Sequence, residues 1–333
     1  MSAKDKPTIA LFTGDPAGIG PELVAKLFAK GNAAKRANVL LVGSREVLEE
    51  GMHVARAQFE FDEGAAVEPG ADRPVLVTSP VLEQRDFARG TVTAKSGQYM
   101  LESLAVAVDL CRNGVADALC FAPLNKGALR AGGMNHPDEL HWFADRLDFH
   151  GTCVELNVLE GLWTSRVTSH VALSAVCGLI TAEKVAEAVQ LIHGSLVKAG
   201  FAKPRIVVCG LNPHNGDNGA FGREEIDIIG PGVELARSRG FPADGPFPAD
   251  TVFVRATRKD GGYDGVVTMY HDQGQIAMKL MGFERGVTVQ GGLPMPICTP
   301  AHGTAYDIAG RGIANDGAMK NAFELACRMG ERQ

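Results

Sequence analysis

Three histidines stand where short apolar runs give way to polar turns. Gly265 to Tyr270 reads as a buried strand that stops at His271-Asp272-Gln273-Gly274. Trp163 to Thr168 is strand-like and delivers Ser169-His170, and Arg205 to Gly210 delivers Leu211-Asn212-Pro213-His214-Asn215-Gly216. In an open α/β sheet, the loops that leave the carboxyl ends of strands line the ligand crevice. Imidazoles at three such ends suit a single divalent cation, held by nitrogen donors with positions left open for substrate. An ion of that kind lowers the pKa of a bound hydroxyl and steadies the alkoxide from which a hydride departs. Asp250 and Asp272 are the carboxylates expected to orient imidazoles from behind. Lys279, within the apolar segment Ile276 to Met281, suits charge balance or proton relay.

Elements must position these groups, and their order predicts the fold. Thr8 to Thr13 is a short strand, followed by Gly14-Asp15-Pro16-Ala17-Gly18-Ile19-Gly20-Pro21-Glu22 and a helical pattern. Pro21 suits a first helical turn, and a glycine turn before a helix start can hold an anion on backbone N–H groups. Gly18 and Gly20 are therefore candidate cofactor contacts, although neither the dinucleotide fingerprint nor a Walker loop is present. Val39 to Val42 is a second strand, and Ser44 is expected to cap the helix after it. Lys26 and Lys30 are expected on a solvated helix face. Ala118 to Phe121 is a strand whose carboxyl-end loop carries Lys126, a second candidate for an anionic ligand. Gly133 to Asp145 holds His136, Asp138, Glu139, Leu140 and His141. Pro137 interrupts any helix between its histidines, so a substrate-contacting loop is expected. Thr181 caps an amphipathic helix to Ala199, Glu224 to Arg237 is another, and a helix of small residues is expected to follow Ala301-His302-Gly303-Thr304 as far as Arg311. Strands alternating with helices give an α/β fold with mainly parallel sheets. Two lobes are expected, residues 1–130 with 306–333 and residues 131–305.

Composition narrows the function classes. A chain of 333 residues, 45% hydrophobic and 22% charged, has ample material for a core without staples. Its net charge of −6 comes with no basic block, which argues against a nucleic-acid partner. Seven cysteines at wide spacing, with no C-x-x-C pair, are expected to be buried reduced thiols, with Cys298 the least certain. Met1 to Pro7 lacks the apolar core of a signal peptide, and no run reaches the length of a membrane span, so a cytoplasmic protein is expected.

The segments Gly14 to Glu22, Gly210 to His214, Tyr270 to Gly274, His302-Gly303-Thr304-Ala305 and Ala309-Gly310-Arg311-Gly312 together resemble the PdxA family of 4-hydroxythreonine-4-phosphate dehydrogenases and their relatives. The resemblance runs from Thr8 to Met329. It implies the two-lobed isocitrate/isopropylmalate dehydrogenase-like fold with a central cleft, a homodimer, and a role in pyridoxine biosynthesis. It also implies NAD or NADP used without the usual fingerprint, with Asn215 joining Gly18, Gly20 and Lys126 as candidate contacts. The implied divalent metal is zinc before magnesium, cobalt or manganese. It falls to His170, His214 and His271, with His271 reaching across the dimer.

The catalytic-site lysine of the family matches Lys279, and its substrate positions match Glu139, Leu140, Thr288 and Ile297, with His141 beside them. Those last positions depart from the phosphothreonine pattern. Ile297 removes a bidentate anion partner and Glu139 adds a charge that repels phosphate. The expected activity is oxidation, with decarboxylation, of a β-hydroxy acid. A non-phosphorylated or cis-dihydrodiol acid is the alternative substrate. The rival classes are a metal-dependent lyase or hydrolase without nicotinamide, and a metabolite-binding protein without chemistry.

Overall fold

The computed structural model describes residues 6–29, 33–78, 82 and 86–331. The chain divides into two compact units, residues 1–150 with 293–333, and residues 151–292. Residues 131–150 and 293–305, expected in the second lobe, thus belong to the first. The reason lies in pairing and packing: Ile297 and Cys298 pair with Leu119 and Cys120 of the first unit, and the helices at 126–131 and 139–146 pack on the helix at 94–112.

The first unit is an all-parallel sheet. Its strands are β1 (Thr8–Phe12), β2 (Asn38–Val42), β3 (Asp62–Glu63), β4 (Val75–Val77), β5 (Ala118–Phe121) and β12 (Ile297–Pro300), in the order β3-β4-β2-β1-β5-β12. Helices cover the sheet, so its central strands are continuous apolar runs rather than alternating ones. Ile9 to Phe12, Val39 to Val42 and Ala118 to Phe121 are all buried. The helices are α1 (Gly20–Ala29), α2 (Ala33–Arg36), α3 (Arg45–Ala55), α4 (Ala94–Arg112), α5 (Lys126–Ala131), α6 (Glu139–Arg146) and α12 (Gly317–Gly330).

The second unit is mixed. It contains β6 (Val154–Leu159), β7 (Leu162–Arg166), β8 (Ile206–Cys209), β9 (Asp244–Phe247), β10 (Gly265–Thr268) and β11 (Val287–Gly291), in the order β11-β6-β7-β10-β8-β9. Strands β7, β10, β8 and β9 run parallel, while β6 is antiparallel to both its neighbours. The β6–β7 hairpin turns on Glu160 and Gly161, both at positive φ, as a two-residue turn between paired strands demands. The helices are α7 (Leu173–Leu179), α8 (Ala182–Lys198), α9 (Gly230–Ser238), α10 (Ala249–Ala256) and α11 (His271–Gly282). Among the described residues no helix is long and apolar enough to cross a membrane.

Three local expectations are corrected. Ser44 precedes α3, but its hydroxyl donates to the Leu82 carbonyl at 2.8 Å instead of accepting from the helix. Lys26 is not on a solvated face: its ammonium donates to Glu22, to the Gly312 carbonyl and to the Ala314 carbonyl at 2.7–3.0 Å. Lys30 lies outside the described residues. No helix runs between Thr304 and Arg311. Ala305 at φ 44 and Gly310 at φ 80 leave the right-handed helical region, and short-range bonds such as Ile308 N–H to the Ala305 carbonyl close successive turns instead.

Candidate active site

Strands β7, β10 and β8 are adjacent and parallel, so their carboxyl ends lie on one edge of the second unit. Thr268 is level with Arg166, and Val267 with Val208. His271 follows three residues beyond Thr268, His170 four beyond Arg166, and His214 six beyond Val208. Gln273 straps two of these ends together. Its amide oxygen accepts from Met269 N–H at 2.7 Å, and its amide nitrogen donates to the Gly210 carbonyl at 2.8 Å.

The imidazoles of His170 and His271 are brought together, with ring centroids 5.6 Å apart. His271 Nδ1 lies 2.6 Å from Asp272 Oδ1, which leaves Nε2 as its outward donor atom. The His214 ring meets Phe221, at 6.3 Å between centroids. Among the described residues no group of three or more His, Cys, Asp or Glu side chains gathers closely enough to hold an ion within one chain. Imidazole chemistry fits a divalent metal, but one chain supplies an incomplete set.

An unusual turn sets the position of His214. His214, Asn215, Asp217 and Asn218 all have positive φ, between 42° and 58°, and Gly216 between them has φ 77°. Consecutive left-handed residues are strained, and Asn and Asp tolerate that region better than most. Glu225, 4% exposed, holds the entry to the turn: its carboxylate accepts from Leu211 N–H and Asn212 N–H, both at 2.7 Å, and from the Asn212 amide at 3.0 Å. Burial alone would raise this carboxyl, but the donors from Asn212 and Leu211 outweigh it and hold the group below the usual glutamate range. Glu225 and Gln273 were not singled out in the sequence. Polar residues beside strand ends were the only signal available for them.

The remaining candidates are placed as follows. Asp250 lies in the first turn of α10, exposed, and among the described residues no hydrogen bond joins it to a histidine. Lys279 is eight residues beyond His271 on α11, about 12 Å along the helix axis. Thr288 on β11 pairs with Asn157, whose amide lies 3.5 Å from its hydroxyl. In the first unit, Glu139, Leu140 and His141 form the first turn of α6 rather than a loop. Asp138 is its cap, accepting from His141 N–H at 3.0 Å and meeting His141 Nδ1 at 2.6 Å. Burial opposes ionisation of Asp138, but those bonds to His141 and the nearby Lys126 charge hold its carboxyl below the usual range. Lys126 opens α5 and pairs with Glu139 at 4.0 Å. Leu140 is 4% exposed and Ile297 0%, so neither offers surface to a ligand.

The glycine loop serves packing. A Cβ on Gly20 would lie 2.4 Å from the Thr13 carbonyl oxygen, and one on Gly18 would lie 2.8 Å from Thr304. The N–H groups of Ala17, Gly18 and Ile19 donate to Asp15 and to the Thr304 carbonyl. The side-chain oxygen of Asn215, a fourth cofactor candidate, is buried against Gly210 and turned away from solvent. All seven cysteines are free thiols, but the expected burial holds for only four: Cys177 is exposed and Cys111 and Cys153 are half-buried, while burial pushes Cys298 up to about 12, which makes it unreactive.

Comparison with known proteins decides the family. Residues 35–326 match the family described as "Pyridoxal phosphate biosynthetic protein PdxA". The chain belongs to the PdxA family. A protein of Pseudomonas aeruginosa named "Putative 4-hydroxythreonine-4-phosphate dehydrogenase 2" is 55% identical over 337 residues, covering 100% of both chains. One from Oceanobacillus iheyensis, named "Putative D-threonate 4-phosphate dehydrogenase", is 36% identical, covering 97% of this chain and 98% of its own. The crystal structure of 4-hydroxythreonine-4-phosphate dehydrogenase from Klebsiella pneumoniae superimposes with a TM-score of 0.86 at 33% identity, covering 98% of this chain and 99% of that one. The relatives of this PdxA chain are thus named as dehydrogenases, which supports an oxidoreductase.

Proposed function

We propose that this PdxA protein is an NAD(P)-dependent, divalent-metal-dependent dehydrogenase that oxidises a phosphorylated β-hydroxy acid, with decarboxylation; the names of its relatives support a dehydrogenase of a phosphorylated hydroxy acid. The observation that carries this reading is the placing of His170, His271 and His214 on the carboxyl ends of three adjacent parallel strands. When bound, the metal supplies Lewis acidity toward the substrate hydroxyl and the neighbouring carbonyl. His170 and His214 would hold it together with His271 of a second copy of the chain, and Asp272 fixes which nitrogen of His271 faces outward. Lys279 would balance substrate charge. A nicotinamide would supply the hydride acceptor, with Gly18, Gly20, Lys126 and Asn215 as its candidate contacts.

A second copy of the chain is part of the reading. Val171 and Leu173 follow His170, Phe221 and Ile226 follow His214, and Ile276 and Leu280 share α11 with His271. All six are 46–84% exposed. Exposed apolar side chains on the elements that carry an incomplete donor set support an interface that completes it.

Buried Ile297 and the Glu139 carboxylate favour a second reading, a non-phosphorylated hydroxy or cis-dihydrodiol acid, because neither residue offers a phosphate a partner. A panel of hydroxy acids with and without phosphate, each with NAD or NADP and zinc, tests both readings through nicotinamide reduction. Turnover of a phosphorylated acid supports the first, and turnover restricted to the other class supports the second. Product formation with no nucleotide reduced overturns both and favours a lyase. His271→Ala is expected to lose metal retention and turnover while keeping its fold, and full activity in that variant contradicts the site.

A further inference from the structure

The edge of the second unit opposite the histidines carries a cleft that the proposed reaction leaves unused. Its volume is about 520 Å³, and it lies at the amino ends of the same three strands: Leu162 opens β7, Arg205 precedes β8 and Asp264 precedes β10. Its floor is the outer side of the core, where Leu162 and Tyr263 are packed with Met281 against them. One wall is the loop from Arg258 to Gly262, folded back on the end of α10. Tyr263 N–H donates to the Ala256 carbonyl at 3.0 Å, and a Cβ on Gly262 would stand 2.3 Å from that same oxygen. A loop closed so tightly presents its side chains from a fixed backbone.

The rim is cationic although the whole chain carries a net charge of −6. Arg205, Arg258 and Lys259 line the cleft and are exposed, and among the described residues none of the three is in an ion pair. The carboxylates beside them are Glu160 and Asp264. Glu160 pairs with Arg285, which does not line the cleft, so three cations stand against one carboxylate. Arg205 is set in place by its neighbour: the guanidinium lies over the Tyr263 ring, 5.1 Å from the centroid, and its donors point along the edges of its own plane. The carboxyl end of α10 favours cations just after it, which accounts for Arg258 and Lys259. It does not account for Arg205, on another element, nor for the apolar floor beneath all three.

We propose that this cleft binds a small phosphomonoester with an apolar or aromatic body, at a site separate from the candidate active site. The phosphate meets Arg205, Arg258 and Lys259, and the body lies on Leu162, Tyr263 and Met281. An arginine fork matches two phosphate oxygens at once, and a lysine adds a point charge. A concave site of this size, with an apolar floor and a few convergent polar groups, has the make-up of a small-molecule site. The proposal needs neither the metal nor the nicotinamide, so it stands or falls apart from the proposed function.

Phenyl phosphate is the probe, titrated calorimetrically into the full-length protein beside phenol and inorganic phosphate. It is expected to bind more tightly than either part. The double variant Arg258→Gln/Lys259→Gln changes two exposed side chains outside any ion pair, so it is expected to keep its fold and to bind phenyl phosphate about tenfold or more weakly. His271→Ala is expected to bind it as wild type does. Phenylglyoxal labelling followed by peptide mass mapping locates the probe, and bound phenyl phosphate is expected to shield Arg205 and Arg258. No binding by wild type, equal affinity in the double variant, or labelling of Arg205 and Arg258 unchanged by the probe overturns the proposal. Binding lost in His271→Ala but kept in the double variant places the probe at the histidines and overturns it as well.

Discussion

Removing the Glu225 carboxylate tests how the His214 turn is held. In Glu225→Ala, Leu211 N–H and Asn212 N–H lose their acceptor, while the Asn212 amide keeps Glu224 Oε2 at 2.7 Å. Each buried donor left without a partner costs about 1–3 kcal/mol, so the direct loss is about 2–6 kcal/mol. Against it stands the strain of four non-glycine residues at positive φ. At about 1 kcal/mol each, that is roughly 4 kcal/mol that relaxation of the turn releases. The two quantities are comparable, so local opening is favoured over unfolding of the whole unit. Urea denaturation should show a loss of only about 2 kcal/mol, the difference between the larger bond estimate and the strain. Hydrogen exchange followed by mass spectrometry should show protection collapsing in residues 210–222 alone.

The pH dependence of this clamp has a definite sign. The folded-state pKa of Glu225 is lowered, so its stabilisation is present above the unfolded-state value and lost as pH falls through the folded one. The difference between wild type and Glu225→Ala should therefore shrink in acid. Unchanged exchange across 210–222, or a loss above about 5 kcal/mol with the whole second unit opening together, would refute the reasoning.

Gly216→Ala puts a Cβ 2.7 Å from Glu225 Oε2 at φ 77°, and should destabilise by about 2–4 kcal/mol in the same urea assay; a loss below the error of that assay contradicts the turn geometry. Asp15 is buried, and burial raises its carboxyl despite bonds donated by Tyr306 and Ala17 N–H. Its stabilisation is full below the unfolded-state value and is lost as pH rises through the higher folded value. Asp15→Asn should remove that slope from a plot of urea midpoint against pH, and a slope identical to wild type argues against a raised Asp15. Leu280, 84% exposed, is the least covered of the apolar residues around the histidines. Leu280→Glu should shift the protein toward monomer in sedimentation equilibrium and weaken zinc binding, whereas an unchanged mass and affinity exclude α11 from the interface.

What the sequence revealed, and what it hid, follows from the range of the interactions involved. Continuous apolar runs such as Ile9 to Phe12 and Val266–Val267 are legible because a strand covered on both faces can tolerate little else. The helix caps at Thr93, Asn125, Asp138 and Thr181 depend on residues three positions apart, and of these Thr181 is the one expected from the sequence. Ser44 departs from its expected capping role because its hydroxyl has a better acceptor 38 residues away. The domain boundary was displaced for the same reason, since β12 pairs with a strand far back in the chain.

The candidate site divides along the same line. Histidines after apolar runs announce themselves, since an imidazole at a strand end serves packing poorly. The residues that aim them do not. Glu225 and Gln273 look like ordinary polar residues in the sequence, and each is defined by partners on another element. Even the asparagines and aspartate of the His214 turn, which read as loop composition, have their reason in backbone geometry: few other residues accept four consecutive visits to the left-handed region around one glycine. A site of this kind is therefore sensitive at positions that never touch the substrate. Losses of function from such positions should appear in metal affinity and local exchange before they appear in global stability.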